Sequence, residues 1–441
     1  MKPIVAIVGR PNVGKSTLFN RLVGKNLAIV HDLPGVTRDR HYADALIGGR
    51  DVTLVDTGGF DPGSEDPMQA GIVRHVLSAI EEADAVICVL DGSMPPTGPD
   101  REAVALLRQS GKPTLFVANK VDTQEHELGT GPLYELGLPS VIPVSALHGR
   151  GTGELGKALR ALLPRAPKVA EEGESAERPP RIALIGRPNA GKSSLFNRLV
   201  GEERSLVDHR PGTTRDPIDE RVVFQGRPFV VVDTAGIRRR PNVERGIELV
   251  SVLRAIRALE RAEVCVLVCD STEGVTQQDA RLLALAAERR RAIVVALNKT
   301  DLLDAKQRRE AIANAEEALA FARWARIVPI SARTGDGVPK LMQTVERASA
   351  EMRRRVSTSE LNRFFEEVLT RHPPPTHKGQ APRIYYVTQA ETSPPVFVAV
   401  SSHPDHIKPS YQRFVANQIR KAFGFESVPI TVHYRMKRRR E

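Results

Sequence analysis

The sequence predicts an α/β protein: two domains built on doubly wound, mostly parallel sheets, followed by a smaller α/β unit. Three observations carry this. The stretch Gly9–Gly24, GRPNVGKSTLFNRLVG, returns at Gly186–Gly201 as GRPNAGKSSLFNRLVG, with only Val13 and Thr17 exchanged, for Ala190 and Ser194. Each copy lies between an apolar run and an amphipathic run, and further apolar runs alternate with helical stretches behind it, the order that builds a parallel sheet covered on both faces. A chain of 441 residues is also too long for one ordinary core and leaves room for two to four domains.

Taken in order, Ile4–Val8 reads as a strand that ends in a glycine loop, and a Leu/Phe/Leu/Val-rich helix follows. Thr53–Val55, Ala85–Leu90 and Thr114–Ala118 read as strands, with helices at Met68–Ala83 and Asp100–Ser110. The second copy repeats the pattern with strands at Ile182–Ile185, Val230–Val232, Val264–Val268 and Ala292–Leu297, and its first helix at Leu195–Val200. Gly9 and Gly186, Thr37 and Thr214, Asp56 and Asp233, and Cys88 and Cys265 are each 177 residues apart. The offset grows to 179 at Asn119 and Asn298 and to 186 at Ser145 and Ser331, so insertions accumulate behind a front of fixed length. This is a duplicated domain; the period is far longer than that of a solenoid.

Between the copies, Pro164–Pro180 is rich in Pro, Glu, Ser and Gly and reads as a solvated linker, with an acidic docking segment as the other reading. The second copy ends in a helix, Pro339–Arg354. The last unit reads as helix Ser359–Thr370, a Pro-rich loop His372–Pro375, strands Arg383–Thr388 and Val396–Val400, helix Lys408–Phe423 and strand Ile430–Arg435. The expected domains are therefore 1–166, a linker at 167–180, 181–354 and 355–441.

Hydrophobic content of 41% and charged content of 27% are ordinary for a soluble globular chain. Cys88, Cys265 and Cys269 all lie in apolar strand-like runs, so buried thiols are expected, with no disulfide framework and a reducing compartment. No apolar run approaches the ~20 residues of a membrane helix. The first residues run straight into a strand, and the expected location is cytoplasmic. The formal charge of +11 suggests a polyanionic partner. From residue 353 to 441 there are sixteen Lys and Arg against seven Asp and Glu, a net of +9, so most of the excess is C-terminal.

Each repeat holds G-x-x-x-x-G-K-S, here Gly9, Arg10, Pro11, Asn12, Val13, Gly14, Lys15, Ser16 and Gly186, Arg187, Pro188, Asn189, Ala190, Gly191, Lys192, Ser193. Such a loop turns backbone N–H groups onto a phosphate at a helix N-terminus, its lysine reaches the outer phosphates, and its hydroxyl binds Mg²⁺. Two near-identical matches at strand-to-helix junctions point to two nucleoside-triphosphate sites. Asn119, Lys120, Val121, Asp122 and Asn298, Lys299, Thr300, Asp301 each follow an apolar strand. An aspartate there accepts both the ring N–H and the exocyclic amine of guanine, and adenine has no such donor pair, so one contact is lost at a cost of about 1–3 kcal/mol. The pairs Ser145-Ala146 and Ser331-Ala332 fit turns whose amide meets the guanine carbonyl. Asp56, Thr57, Gly58, Gly59 and Asp233, Thr234, Ala235, Gly236 end apolar strands; the aspartate suits the second shell of Mg²⁺, and the Gly59 and Gly236 amides suit the γ-phosphate. Thr37 and Thr214 lie in Pro-Gly-x-Thr-Arg-Asp loops that would order around Mg²⁺ and the γ-phosphate. Lys15, Thr37, Gly59, Lys192, Thr214 and Gly236 are thus the groups expected at the reacting phosphate.

With these motifs the chain resembles GTPases of the Ras-like superfold. More closely it resembles the bacterial tandem GTPase family called EngA or Der, of the TrmE-Era-EngA-like group. The match spans the whole chain: GRPNVGKS, PGVTRD, DTGG and NKVD, then GRPNAGKS, PGTTRD, DTAG and NKTD, then a small C-terminal unit. The resemblance implies two P-loop GTPase domains and a C-terminal KH-like domain, hydrolysis of GTP to GDP, and a role in assembling the large ribosomal subunit with ribosomal RNA as partner. A monomer is expected.

Many signalling GTPases carry a water-orienting Gln directly after D-x-x-G; here Phe60 and Ile237 stand there, and neither can hydrogen-bond a water. The resemblance implies that Asn12 and Asn189 coordinate K⁺ against the phosphates, making slow, K⁺-stimulated hydrolysis the expectation; bracing of the loop is the other reading of these asparagines. Arg38, Arg215 and Arg238–Arg240 are either further positive charge for the site or a solvated edge. The C-terminal unit has no GXXG, the loop by which KH domains clamp nucleotides, so salt-sensitive backbone contact with structured RNA is expected, with the tail Lys437–Arg440 as contributor. Two other functions fit less of the sequence. One is an RNA chaperone that senses nucleotide occupancy. The other is a GTPase partner of a tRNA-modifying enzyme, which would need a helical domain that residues 355–441 do not resemble.

Overall fold

The computed structural model describes residues 2–24, 42–57, 76–163, 178–201, 219–234, 248–376 and 381–436. The chain divides into two compact units.

The first unit is built on six strands: β1 (Ile4–Val8), β2 (Tyr42–Ile47), β3 (Arg50–Asp56), β4 (Ala85–Asp91), β5 (Thr114–Asn119) and β6 (Ile142–Pro143). Their order across the sheet is β2-β3-β1-β4-β5-β6, parallel except for the β2–β3 hairpin. Every residue of β1 and β4 is buried, as expected of strands covered on both faces. The two-residue period splits these apolar runs between two cores. Val5, Ile7, Ile87 and Val89 pack on Leu18 and Phe19 of the helix Lys15–Val23 and on Leu155 and Leu159 of the helix Thr152–Leu162. Ala6, Val8, Val86, Cys88 and Leu90 face the other way, onto Ala103, Val104 and Leu107 of the helix Gly98–Ser110.

The second unit repeats this sheet with β7 (Arg181–Ile185), β8 (Glu220–Phe224), β9 (Arg227–Val231), β10 (Val264–Asp270), β11 (Ala292–Asn298) and β12 (Arg326–Pro329), in the order β12-β11-β10-β7-β9-β8. It also holds a three-stranded sheet, β13 (Ile384–Glu391), β14 (Val396–Ser401) and β15 (Thr431–Met436), in which β13 is antiparallel and β15 parallel to β14. The helices Thr358–Arg371 and Pro409–Phe423 complete the C-terminal part. Its core is continuous with that of the second large sheet: Val266, Ala296, Met352, Phe365, Phe397 and Ile419 belong to one buried cluster. Polar contacts tie the two parts as well. The Ile293 amide donates to the Ser427 carbonyl at 2.8 Å, and the buried Glu351 carboxylate accepts the Ser427 amide at 3.0 Å.

The strand–helix order read from the sequence is present throughout the described residues, including the helix Val338–Arg353 and all five elements expected after residue 355. Only residues 76–82 of the helix expected at Met68–Ala83 are described, and these are helical. Among the described elements that the sequence reading did not name are the edge strands β2 and β8 and the helices Thr152–Leu162 and Ala305–Ala318. Each edge strand pairs antiparallel with its neighbour and is only half buried. Most of the linker and the tail from Lys437 lie outside the described residues. No helix among the described residues is long and apolar enough to cross a membrane.

Candidate functional site

Both glycine loops sit at the carboxyl end of the central strand, between β1 and the helix Lys15–Val23 and between β7 and the helix Lys192–Gly201. The strand order reverses there, with β3 on one side of β1 and β4 on the other and β9 and β10 likewise about β7, the usual place for a ligand in an open α/β sheet. Gly14 and Gly191 lead into the helices with φ of +93° and +101°, and a Cβ on either would collide with the side-chain amide of Asn119 or Asn298. Only glycine meets both constraints. Asn12 and Asn189 hold left-handed backbone, φ +65° and +62°, a conformation that asparagine tolerates better than most residues.

Lys15 is 6% exposed. Its ammonium donates to the Arg10 carbonyl at 2.8 Å, and that of Lys192 donates to the Gly186 and Arg187 carbonyls at 2.7 and 2.6 Å. Burial holds the Lys15 ammonium below its ordinary range, and it pulls Lys192 down to about 8. Each loop thus carries a desolvated cation beside backbone amides, a place where a polyphosphate restores the missing counter-charge.

The second half of each site is assembled by one asparagine. Asn119, 3% exposed, donates from Nδ2 to the Val13 carbonyl at 2.8 Å, and its Oδ1 accepts the Ala146 amide at 2.9 Å. Asn298 makes the same two bonds, to the Ala190 carbonyl and from the Ala332 amide, both at 2.9 Å. One side chain therefore ties the phosphate loop to the Ser-Ala turn in each copy. The aspartates expected to read the base are held by those serines: Ser145 Oγ donates to Asp122 Oδ1 at 2.6 Å, and Ser331 Oγ to Asp301 Oδ1 at 2.7 Å. Val121 and Thr300 pin the intervening backbone through amide bonds to the Val144 and Ile330 carbonyls at 3.1 and 3.2 Å.

Lys120 and Lys299 stand in left-handed backbone, φ +70° and +68°. Asp91, at the end of β4, takes the Lys120 ammonium at 2.7 Å, and Asp270 takes that of Lys299. Burial opposes the charged form of Asp91 and Asp270. The bonds from these lysines and from Ser93 or Thr272 outweigh it and leave both carboxyls below their ordinary range.

Asp56 is buried at the end of β3, and its charge acts on Lys15. Thr57 fixes the strand end by donating to the Ile7 carbonyl at 2.8 Å. Ser16, in the first turn of the helix that follows the loop, is exposed, so the oxygen donors the motifs offer are hydroxyl and carboxylate, the hard ligands that Mg²⁺ takes together with phosphate and water. Asp233 has left-handed backbone, φ +56°, and Thr234 is buried. Thr37, Gly58, Gly59, Phe60, Thr214, Ala235, Gly236 and Ile237 lie outside the described residues, as do Arg38, Arg215 and Arg238–Arg240.

Several residues that build the sites were not singled out from sequence, among them the partners of the two loop arginines. Arg10 Nε donates to Asp100 Oδ2 at 3.3 Å and its Nη2 lies 3.5 Å from Asp91; Arg187 meets Asp279 at 3.0 Å and Glu273 at 2.8 Å. These arginines fasten their loops to the next strand and helix. Arg21 donates to the Ala146 carbonyl at 2.9 Å and Arg198 to the Ala332 carbonyl at 3.3 Å, clamping both Ser-Ala turns. The repeat held a signal for some of them: Asp91 precedes Lys120, and Asp270 precedes Lys299, by the same 29 residues.

A family profile described as 50S ribosome-binding GTPase matches residues 4–120 and again 181–299. The chain is 45% identical over 444 residues to the GTPase Der of Moorella thermoacetica, covering all of both proteins. The chain belongs to the GTPase Der family. It is therefore a GTPase with two GTP-binding domains in tandem. GTPase Der of Chloroflexus aggregans is 45% identical over 449 residues, covering 100% of this chain and 99% of that protein, and that of Symbiobacterium thermophilum is 46% identical over 438 residues, covering 99% and 92%. A profile for the C-terminal KH-domain-like region of EngA bacterial GTPases matches residues 355–435. Within that region Gly424, φ +68°, caps a helix, and a Cβ there would press on Arg354. It ends the helix Pro409–Phe423.

Proposed function

We propose that this GTPase binds one guanine nucleotide with Mg²⁺ in each of its two G domains, 1–166 and 181–354, and acts as a nucleotide-switched factor in assembly of the large ribosomal subunit. In this reading the segment 167–180 is a linker, 355–441 a KH-like domain that contacts ribosomal RNA, and the protein a cytoplasmic monomer. The observation that carries the nucleotide assignment is the pair of asparagine ties. Asn119 and Asn298 each join a phosphate loop to a turn that holds an aspartate in position for a base. Lys15 and Lys192 leave their carbonyl acceptors for the outer phosphates. Ser16 and Ser193, with Thr37 and Thr214, would hold Mg²⁺, and Asp56 and Asp233 would add carboxylate charge on its side of the loop. When bound, the ion neutralises charge on the β- and γ-phosphates. The amides of Gly59 and Gly236 hold the γ-phosphate, and Asp122 and Asp301 accept the two guanine donors.

With Phe60 and Ile237 directly after the D-x-x-G motifs in sequence, stabilisation of the transferring phosphoryl group falls to fixed charge. Asn12 and Asn189 would hold K⁺, whose charge would supply part of it. The left-handed backbone is a separate reason for asparagine at these positions, so the ion is tested directly: hydrolysis should be faster in KCl than in NaCl of equal ionic strength, and equal rates remove K⁺. Support for the RNA reading is the +9 excess after residue 352. Such contact is to the backbone and weakens steeply with salt.

Calorimetry tests the core of the proposal. GTP and GDP should titrate two sites per chain, and ATP none. Heat with adenosine nucleotides and none with guanosine nucleotides overturns it.

A further inference from the structure

The two base-reading turns share one backbone frame, and one of the exposed side chains in which they differ faces the aspartate in the second site alone. Arg21 clamps the first turn through the carbonyls of Ala146 and Leu147, and Arg198 clamps the second through those of Ala332 and Arg333. In both, a serine hydroxyl holds Oδ1 of the aspartate. The residue after the Ser-Ala pair is Leu147 in the first site, 65% exposed. In the second it is Arg333, whose Nη2 lies 2.8 Å from Asp301 Oδ2. Among the described residues no cation pairs with Asp122. The carboxyl of Asp301 is held below its ordinary range, first by the Ser331 hydroxyl and then by the Arg333 charge.

We propose that Arg333 sets the affinity of the second nucleotide site by competing with guanine for Asp301, a competition the first site lacks because Leu147 stands in its place. This rests on the assignment of Asp122 and Asp301 as the base-reading residues. Guanine presents its ring N–H and exocyclic amine side by side, and the pair needs both carboxylate oxygens. Oδ1 points to Ser331, and Oδ2 carries the guanidinium. The Arg333 side chain is 75% exposed, so its released head returns to water at little cost. An ion pair as exposed as this one changes an equilibrium constant by roughly two- to fivefold. Because the Arg333 end of the pair is solvated, salt screens it.

The experiment uses the full chain and a fluorescent N-methylanthraniloyl-GDP. The second site is read in a Lys15→Ala background, and the first in Lys192→Ala. Arg333→Leu should tighten the second site roughly two- to fivefold, and Leu147→Arg should weaken the first by a similar factor. Both differences should shrink as salt rises, a response that a purely structural role of residue 333 would not give. If Arg333→Leu leaves affinity unchanged or lowers it, or if Leu147→Arg does not weaken binding, the competition is wrong. Asp301→Asn separates this from the underlying assignment. If that variant still binds the probe like the parent, Asp301 does not read the base and the assignment itself falls; if it loses the probe, the Arg333 and Leu147 results decide.

Discussion

Replacing Asn119 with alanine should cost the first site its guanine nucleotide while leaving the second intact. The side chain is 3% exposed and makes two bonds, at 2.8 Å to the Val13 carbonyl and 2.9 Å from the Ala146 amide. Alanine strands both backbone groups in a place water does not reach. Each orphan costs about 1–3 kcal/mol, so the local penalty is about 2–6 kcal/mol. With the tie gone, the phosphate loop and the Ser-Ala turn part in the empty protein, and a nucleotide must order both before it binds. The lower bound of that cost, about 2 kcal/mol, corresponds to roughly thirtyfold in affinity. Titration with fluorescent GDP in the presence of Mg²⁺ should show two tight sites in the parent and one in the variant. Asn298→Ala should give the mirror result, because Asn298 makes the same bonds in the second copy. Circular dichroism checks that the chain remains folded. Two sites of undiminished affinity in Asn119→Ala would refute the idea that this side chain organises the pocket.

The second site should also lose affinity in alkaline solution. Burial lowers Lys192 to about 8 in the free protein, and bound phosphate raises it again. Binding therefore favours the protonated form, is full below about pH 8, and weakens by up to about tenfold per unit as pH rises from there towards the value in the complex. Calorimetry at about pH 7 and about pH 9, in buffers of different ionisation heat, should show proton uptake only at the higher value; a flat profile counts against it. At the junction with the C-terminal part, Glu351→Ala should lower the urea midpoint by about 1–3 kcal/mol equivalent, since the Ser427 amide loses its acceptor in a buried place. Glu351→Gln keeps an acceptor oxygen and should cost less, and equal midpoints for parent and Glu351→Ala would show that the contact contributes nothing.

The nucleotide sites were legible in the sequence because their chemistry is local. The glycines, lysine and serine of a phosphate loop must be neighbours in the chain, and so must the asparagine and aspartate behind it. The duplication made each motif its own control. The strands β1, β4, β10 and β11 were legible for a related reason: a strand buried on both faces is apolar along its length, up to the polar residue that ends β4, β10 and β11. The edge strands β2 and β8 were not, because an edge is half buried and YADALI or ERVVF owes its conformation to the neighbour it pairs with.

By itself the sequence settled how many sites there are, the base each is built to read and the strand–loop–helix order that carries them, since contiguous residues meet those demands. Only the tertiary structure decided which distant side chains hold the sites in shape. Asn119 reaches back 106 residues to Val13, Arg21 reaches forward 125 to Ala146, and Arg333 rather than Leu147 faces an aspartate. Such partners meet because the sheet order returns remote strand ends to one edge, and no local pattern encodes that return.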